Sequence, residues 1–153
     1  MKEFLFNVQE KHNNYKVIDF LKTQSFSKEI IQKVKFGGIK LNQTIISNVN
    51  HIVKTGDEIT VILPPDKTNE FILPIKEDMV ILYEDEYLLA VKKEKGVLTH
   101  SSKHNKIKSL EQIVLGYLGD NNCFRPINRL DRDTSGIVLV AKDMFTASLC
   151  LNK

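Results

Sequence analysis

The 153-residue chain has only two cysteines, Cys123 and Cys150, and neither stands at metal-ligand spacing from another cysteine or a histidine. Such a pair reads as reduced thiols, which argues against a disulfide-stapled scaffold and leads us to expect no metal. Long hydrophobic runs are missing as well. No segment approaches the roughly 20 apolar residues that a bilayer-spanning helix needs, and the opening MKEFLFNVQEK lacks the apolar core of a signal peptide. The expectation is a cytoplasmic protein with no membrane association. There is also little net charge, +3, with no internal repeat and no low-complexity tract.

What remains is an ordinary globular composition, 42% apolar and 27% charged, in a length that suits one domain or two small ones. The charge is unevenly divided: residues 1–65 hold nine lysines against six carboxylates, whereas residues 66–153 hold thirteen charges of each sign. A bias of this size fits a nucleic-acid surface, and it fits a solvated surface equally well.

The densest chemistry lies in RPINRLDRDTSGIVLVAK, from Arg125 to Lys142. Arg125, Arg129 and Arg132 crowd around Asp131 and Asp133, and the loop ends at Thr134-Ser135-Gly136 before the apolar run Ile137 to Val140. A continuous β-branched run predicts a strand buried on both faces, so the charged loop would be anchored to a rigid element. Neighbouring cations favour an ionised carboxylate. That suits a nucleophile or a base, and the arginines suit a phosphate-bearing substrate. The same residues also describe a salt-bridged turn in which Gly136 supplies a permissive backbone angle.

Asn128 to Gly136, NRLDRDTSG, resembles the HRLDRxTSG signature of the RluA class of RNA pseudouridine synthases. Agreement is continuous from Arg129 to Gly136, and only the first position departs, with asparagine in place of histidine. The resemblance implies isomerisation of uridine to pseudouridine in structured RNA, ribosomal RNA above all, without cofactor or metal. By position in the motif, Asp131 is the catalytic group that begins glycosidic cleavage. A target base in folded RNA must be flipped out of its stack. Arg129 is the candidate to fill the vacated space, and Arg132 to lend charge support near Asp131. Asn128 keeps a hydrogen-bonding side chain, and Asp133, at the variable position, is read as structural.

Earlier in the chain, Val17 to Leu21 opens a short helix. Ser27 is a helix N-cap type, and Ile30, Ile31 and Val34 follow at helical spacing with Lys28, Lys33 and Lys35 turned outward. Gly37-Gly38 ends that helix. Ile39-Lys40-Leu41, an Asn42-Gln43 turn and Thr44-Ile45-Ile46 predict a hairpin, and Gly56-Asp57-Glu58 turns into a strand from Ile59 to Leu63 before Pro64-Pro65. This order is similar to the S-four-type RNA-binding domain over roughly residues 14 to 65. The likeness implies contact with structured RNA through Ser27, Lys28, Lys33, Lys35, Lys40 and Asn42. Each lysine is described as well by a solvated helix face. Phosphate contacts of this kind would position the protein without reading sequence.

Residues 66–74 read as a polar linker ending at Pro74. Beyond it, Val80 to Tyr83, an acidic turn at Glu84-Asp85-Glu86 and Tyr87 to Val91 predict a β-hairpin. VILYEDEYLLAVKKEKGVLTH resembles the opening of the same synthases' catalytic domain, with Lys93, Gly96 and His100 fitting a V-x-K-P-x-G turn and Glu94 standing where the family has proline. His100 is read as structural and left outside the catalytic set. Ser109-Leu110-Glu111-Gln112 forms a capping box ahead of an amphipathic helix, and another helix follows Asp143.

The fold expected is therefore α+β. A small helix–helix–hairpin RNA-binding module spans 1–65, a linker 66–74, and the first part of a catalytic domain with an incomplete mixed or antiparallel sheet spans 75–153. That last span is short against a typical domain of about 100–150 residues, and the family's later motifs, a base-stacking tyrosine and a basic partner for the aspartate, have no counterpart. The expectation is a portion of a longer synthase that binds RNA and is inactive alone. The alternative is a non-catalytic RNA-binding relative, which Asn128 and Glu94 favour and intact Asp131 opposes. A metal-dependent phosphoryl-transfer site on Asp131 and Asp133 would need further carboxylates or a glycine-rich phosphate loop, and neither is found.

Overall fold

Along Glu3–Asn7 two phenylalanines, Phe4 and Phe6, alternate with Glu3, Leu5 and Asn7, and this period of two forms strand β1. The computed structural model describes residues 1–65, 71–102, 107–119 and 122–151. These divide into two units, Met1–Pro65 and Asp66–Lys153.

In the first unit β1 pairs antiparallel with β4 (Glu58–Ile62), which pairs with β2 (Ile39–Leu41), and β2 pairs with β3 (Thr44–Ile45), giving the order β1-β4-β2-β3. Helices α1 (Val17–Thr23) and α2 (Lys28–Val34) supply the buried Val17, Phe20, Leu21, Ile30, Ile31 and Val34. They face the sheet residues Ile39, Ile59 and Val61, all fully buried. Phe6 meets the rings of Phe20 and Phe26 edge-on, at centroid distances of 6.5 and 5.6 Å, so the Phe4/Phe6 side of β1 is the inner face. The expected helix–helix–hairpin module is thus corrected to a four-stranded sheet under two helices. The sequence reading lacks β1, whose alternation is blurred by the apolar Leu5 on the outer face.

In the second unit β5 (Ile81–Glu84), β6 (Leu88–Lys93) and β7 (Gly136–Ala141) form an antiparallel sheet in that order. Helix α3 (Leu110–Leu118) closes one face, burying Leu89, Val91, Val138 and Val140 against Leu110 and Val114. Helix α4 (Met144–Leu151) follows β7. The expectation that β7 is buried on both faces does not hold, because Ile137 is 58% exposed while Val138 and Val140 are fully buried. A β-branched run announces a strand, but only the packing partner decides which side is covered.

The far edge of β7 is occupied by the motif's own lead-in. Ile127 donates its N–H to the Leu139 carbonyl, and Ala141 donates to the Arg125 carbonyl. Of the expected linker, residues 66–70 lie outside the described residues. Beyond them, Gln112 of α3 donates to the Leu73 carbonyl and Ile75 donates to the Gln112 carbonyl. Among the described residues no helix is long and apolar enough to cross a membrane.

Candidate functional site

The motif loop is held from below by two elements that precede it. Strand β6 ends in Lys93, whose side chain is fully buried. Its ammonium donates to the carbonyls of Glu94 (3.1 Å), Val97 (2.7 Å) and Arg132 (3.1 Å). An ammonium has three donors and no acceptor, so three carbonyls satisfy it completely. The left-handed turn at Gly96, φ +87°, lets its N–H add a second bond of 2.8 Å to the Arg132 carbonyl.

One turn further on, the buried Thr99 hydroxyl donates to the Leu130 carbonyl at 2.6 Å and accepts from the Leu130 N–H at 3.2 Å. Asp131 therefore sits between two clamped neighbours, Leu130 held by Thr99 and Arg132 held by Lys93 and Gly96. Thr134 donates to the Asp131 carbonyl at 3.1 Å and closes the turn. Gly136 packs closely on the loop: a Cβ there would stand 3.1 Å from Cδ1 of Leu130, which would have to give way slightly.

The carboxylate of Asp131 is exposed. Among the described residues no hydrogen bond or ion pair reaches it. Arg132, expected to support Asp131, instead grips Asp133 in a fork, Nε to Oδ1 at 3.2 Å and Nη2 to Oδ2 at 3.0 Å. That guanidinium holds the Asp133 carboxyl below its ordinary range. Burial pulls the Lys93 ammonium below its ordinary value, against the opposing charges of Asp133 and Asp131. Arg129 is exposed to solvent on the same loop.

Asn128 is engaged at both ends of its amide. Nδ2 donates to the Ile137 carbonyl and Oδ1 accepts from the Leu139 N–H, each at 2.9 Å, so the side chain acts as a short extra strand along β7. His100 packs edge-on to Phe124 at 5.3 Å and lies 3.8 Å from the Glu111 carboxylate. Lys93 and Thr99 are the residues that sequence reasoning left out of the site. Lys93 stood inside a quoted motif, but the tertiary contact that gives it a task spans 39 residues. A cleft of about 420 Å³ elsewhere in this unit, bordered by Met79, Val80, Val97 and Ile113, does not include the motif loop.

In the first unit the six named residues separate. Ser27 caps α2, its hydroxyl accepting from the Ile30 N–H at 3.3 Å. Lys28 and Lys33 are exposed along the helix, and Lys35 lies with its ammonium 4.7 Å from the centre of the Phe36 ring. Lys40 does not join them. It alternates with the inward Ile39 and pairs with Thr60 and Ile45, which puts it on the sheet's outer face, away from the helices. Asn42 has φ +47° at the β2–β3 turn. Its amide donates to Asp57 and accepts from the Glu58 N–H, both at 2.8 Å. Those bonds, the Asn42 amide first and the Lys54 N–H next, hold Asp57 below the usual carboxylate range. Among the described residues no cluster of His, Cys, Asp and Glu is arranged to hold a metal.

Residues 87–152 match the RNA pseudouridylate synthase family. An uncharacterized RNA pseudouridine synthase of Bacillus subtilis, YjbO, is 33% identical over 128 residues, covering 80% of this chain and 45% of its own length. A second from the same organism, YhcT, is 30% identical over 140 residues, covering 88% and 46%. The ribosomal large subunit pseudouridine synthase C of Buchnera aphidicola is 31% identical over 152 residues, covering 89% and 46%. The chain thus spans somewhat under half the length of these relatives. The family match takes in the whole motif loop, and each of these relatives is named as a pseudouridine synthase.

Proposed function

We propose that this chain belongs to an enzyme that isomerises uridine to pseudouridine in structured RNA, with ribosomal RNA as the substrate. In this reading residues 1–65 form an S-four-type RNA-binding module and Asp131 carries the chemistry. The reaction breaks the bond from the ribose C1′ to N1 and joins C1′ to C5. N1 gains a proton, the hydrogen on C5 leaves to water, and no net oxidation occurs. A carboxylate that faces solvent from a clamped stretch of backbone suits the first step.

The observation that carries the proposal is the double clamp around Asp131. Thr99 and Lys93 fix the backbone on either side while the carboxylate stays open. Preorganisation of this kind lets a catalytic group meet its substrate without reordering the loop. Arg129, exposed beside Asp131, would occupy the stack left by the flipped nucleotide. The chemistry calls for no metal or cofactor.

The test is product analysis. Transcripts of ribosomal RNA segments are incubated with a protein that contains this sequence and the rest of the catalytic domain, digested to nucleosides and separated by chromatography. Pseudouridine should accumulate at one or a few sites. Binding without pseudouridine would move the assignment to a non-catalytic RNA-binding protein.

A further inference from the structure

We infer that Phe36 is a stacking platform for an unpaired nucleobase of the bound RNA. This rests on the RNA-binding role proposed for residues 1–65. Five phenylalanines lie in that unit. Phe20 and Phe26 are buried, Phe4 and Phe6 are half-buried on the inner sheet, and Phe36 alone is thrown outward, 77% exposed.

The backbone position that carries the ring is fixed. Phe36 follows the end of α2, and Gly37, at φ +91°, turns the chain back at once. Gly38 then wedges between the Val34 carbonyl and the Ile62 carbonyl, where a Cβ would come within 2.9 and 2.8 Å. Gly38 also donates to the Val34 carbonyl and accepts from the Ile62 N–H, both at 2.8 Å. The turn that bears the ring is thereby pinned to the sheet.

Charge identifies the occupant. The Lys35 ammonium lies 4.7 Å from the ring centroid, and Lys33 is exposed on the preceding turn. An aromatic face flanked by cations offers a π surface for a base and counter-charges for its phosphates, which is the arrangement used to hold unpaired nucleotides. Stacking is indifferent to base identity, so the ligand is an unpaired base in a bulge or loop rather than a particular sequence.

The chain contains no tryptophan, so Phe36→Trp creates a unique indole. The full chain carrying Phe36→Trp is titrated with an RNA hairpin bearing one unpaired adenosine, and with the same hairpin lacking it. The expected result is quenching of the indole and loss of its accessibility to acrylamide, stronger with the unpaired adenosine. Phe36→Ala should weaken binding of that hairpin roughly tenfold. It should leave the slope of log affinity against log salt unchanged, because the cations that meet phosphates are all still present, and Phe36→Tyr should restore binding. An indole still accessible in an RNA-saturated protein, with Phe36→Ala binding as wild type, overturns the stacking role alone. Absence of any RNA binding overturns it together with the module's proposed role. Self-association abolished by Phe36→Ala, with RNA binding intact, assigns the ring to a second copy of the chain and overturns it as well.

Discussion

Lys93 carries more of the site than its place in the sequence suggests. A lysine at the end of a strand is ordinarily a surface residue, yet this one is fully buried and spends all three donors on carbonyls, one of them the residue after Asp131. Lys93→Met keeps the length and apolar stem but strands those acceptors. We expect it to destabilise the second unit by about 1–3 kcal/mol, read as a lower denaturation midpoint in urea. Unchanged stability would mean that water replaces the ammonium without cost. Asp131, Arg132 and Asp133 were legible as a charged cluster because they are contiguous. Which carboxylate Arg132 takes was not, since the fork to Asp133 depends on how the turn closes. Thr99 was silent for the same reason: its partner Leu130 lies 31 residues away.

Among the elements, helix caps and turns were the most readable. Ser27 caps α2, and the capping box of Ser109 and Gln112 stands at the start of α3 as its spacing implies. Burial was less readable. The alternation in β1 and the one-sided packing of β7 are set by neighbours that the local pattern does not name.

In the β5–β6 hairpin the Glu84 carboxylate accepts from Lys142 and from the Tyr117 hydroxyl, each at 2.6 Å, and is held below its ordinary range by these partners in that order. The Tyr83 hydroxyl, and then the N–H groups of Leu88 and Tyr87, do the same for Asp85. A carboxylate whose folded pKa is depressed contributes stability that is complete above its unfolded value of about 4 and is lost as pH falls through the folded one. The second unit should therefore weaken on acidification below about pH 4. Lys142→Met should flatten that acid limb in a pH series of thermal melts, and an identical limb in the variant would contradict the pairing. For α2, replacing Lys28, Lys33 and Lys35 together by alanine should weaken RNA binding. The log affinity–log salt slope should fall by up to roughly one unit for each phosphate that is no longer neutralised, and filter binding at several salt concentrations measures it. An unchanged slope would make these lysines solvated surface.

For the whole molecule, the positive excess of residues 1–65 and the motif of the second unit divide the proposed labour between binding and chemistry. The boundary between the two units was legible, because Pro64-Pro65 and the polar stretch after them mark it locally. The chain spans under half of its relatives' length. The central claim is that Asp131 begins the isomerisation, and it calls for a readout of the chemical step with RNA binding measured beside it. Uridine labelled with tritium at C5 loses its label to water only when C5 becomes bonded to the ribose. With C5-tritiated RNA and a protein containing the whole catalytic domain, the wild type should release tritium. Asp131→Asn, which deletes charge and basicity at constant shape, should release none while binding the same RNA within about twofold, a difference of roughly 0.4 kcal/mol. Substantial tritium release by the Asp131→Asn protein would contradict the account.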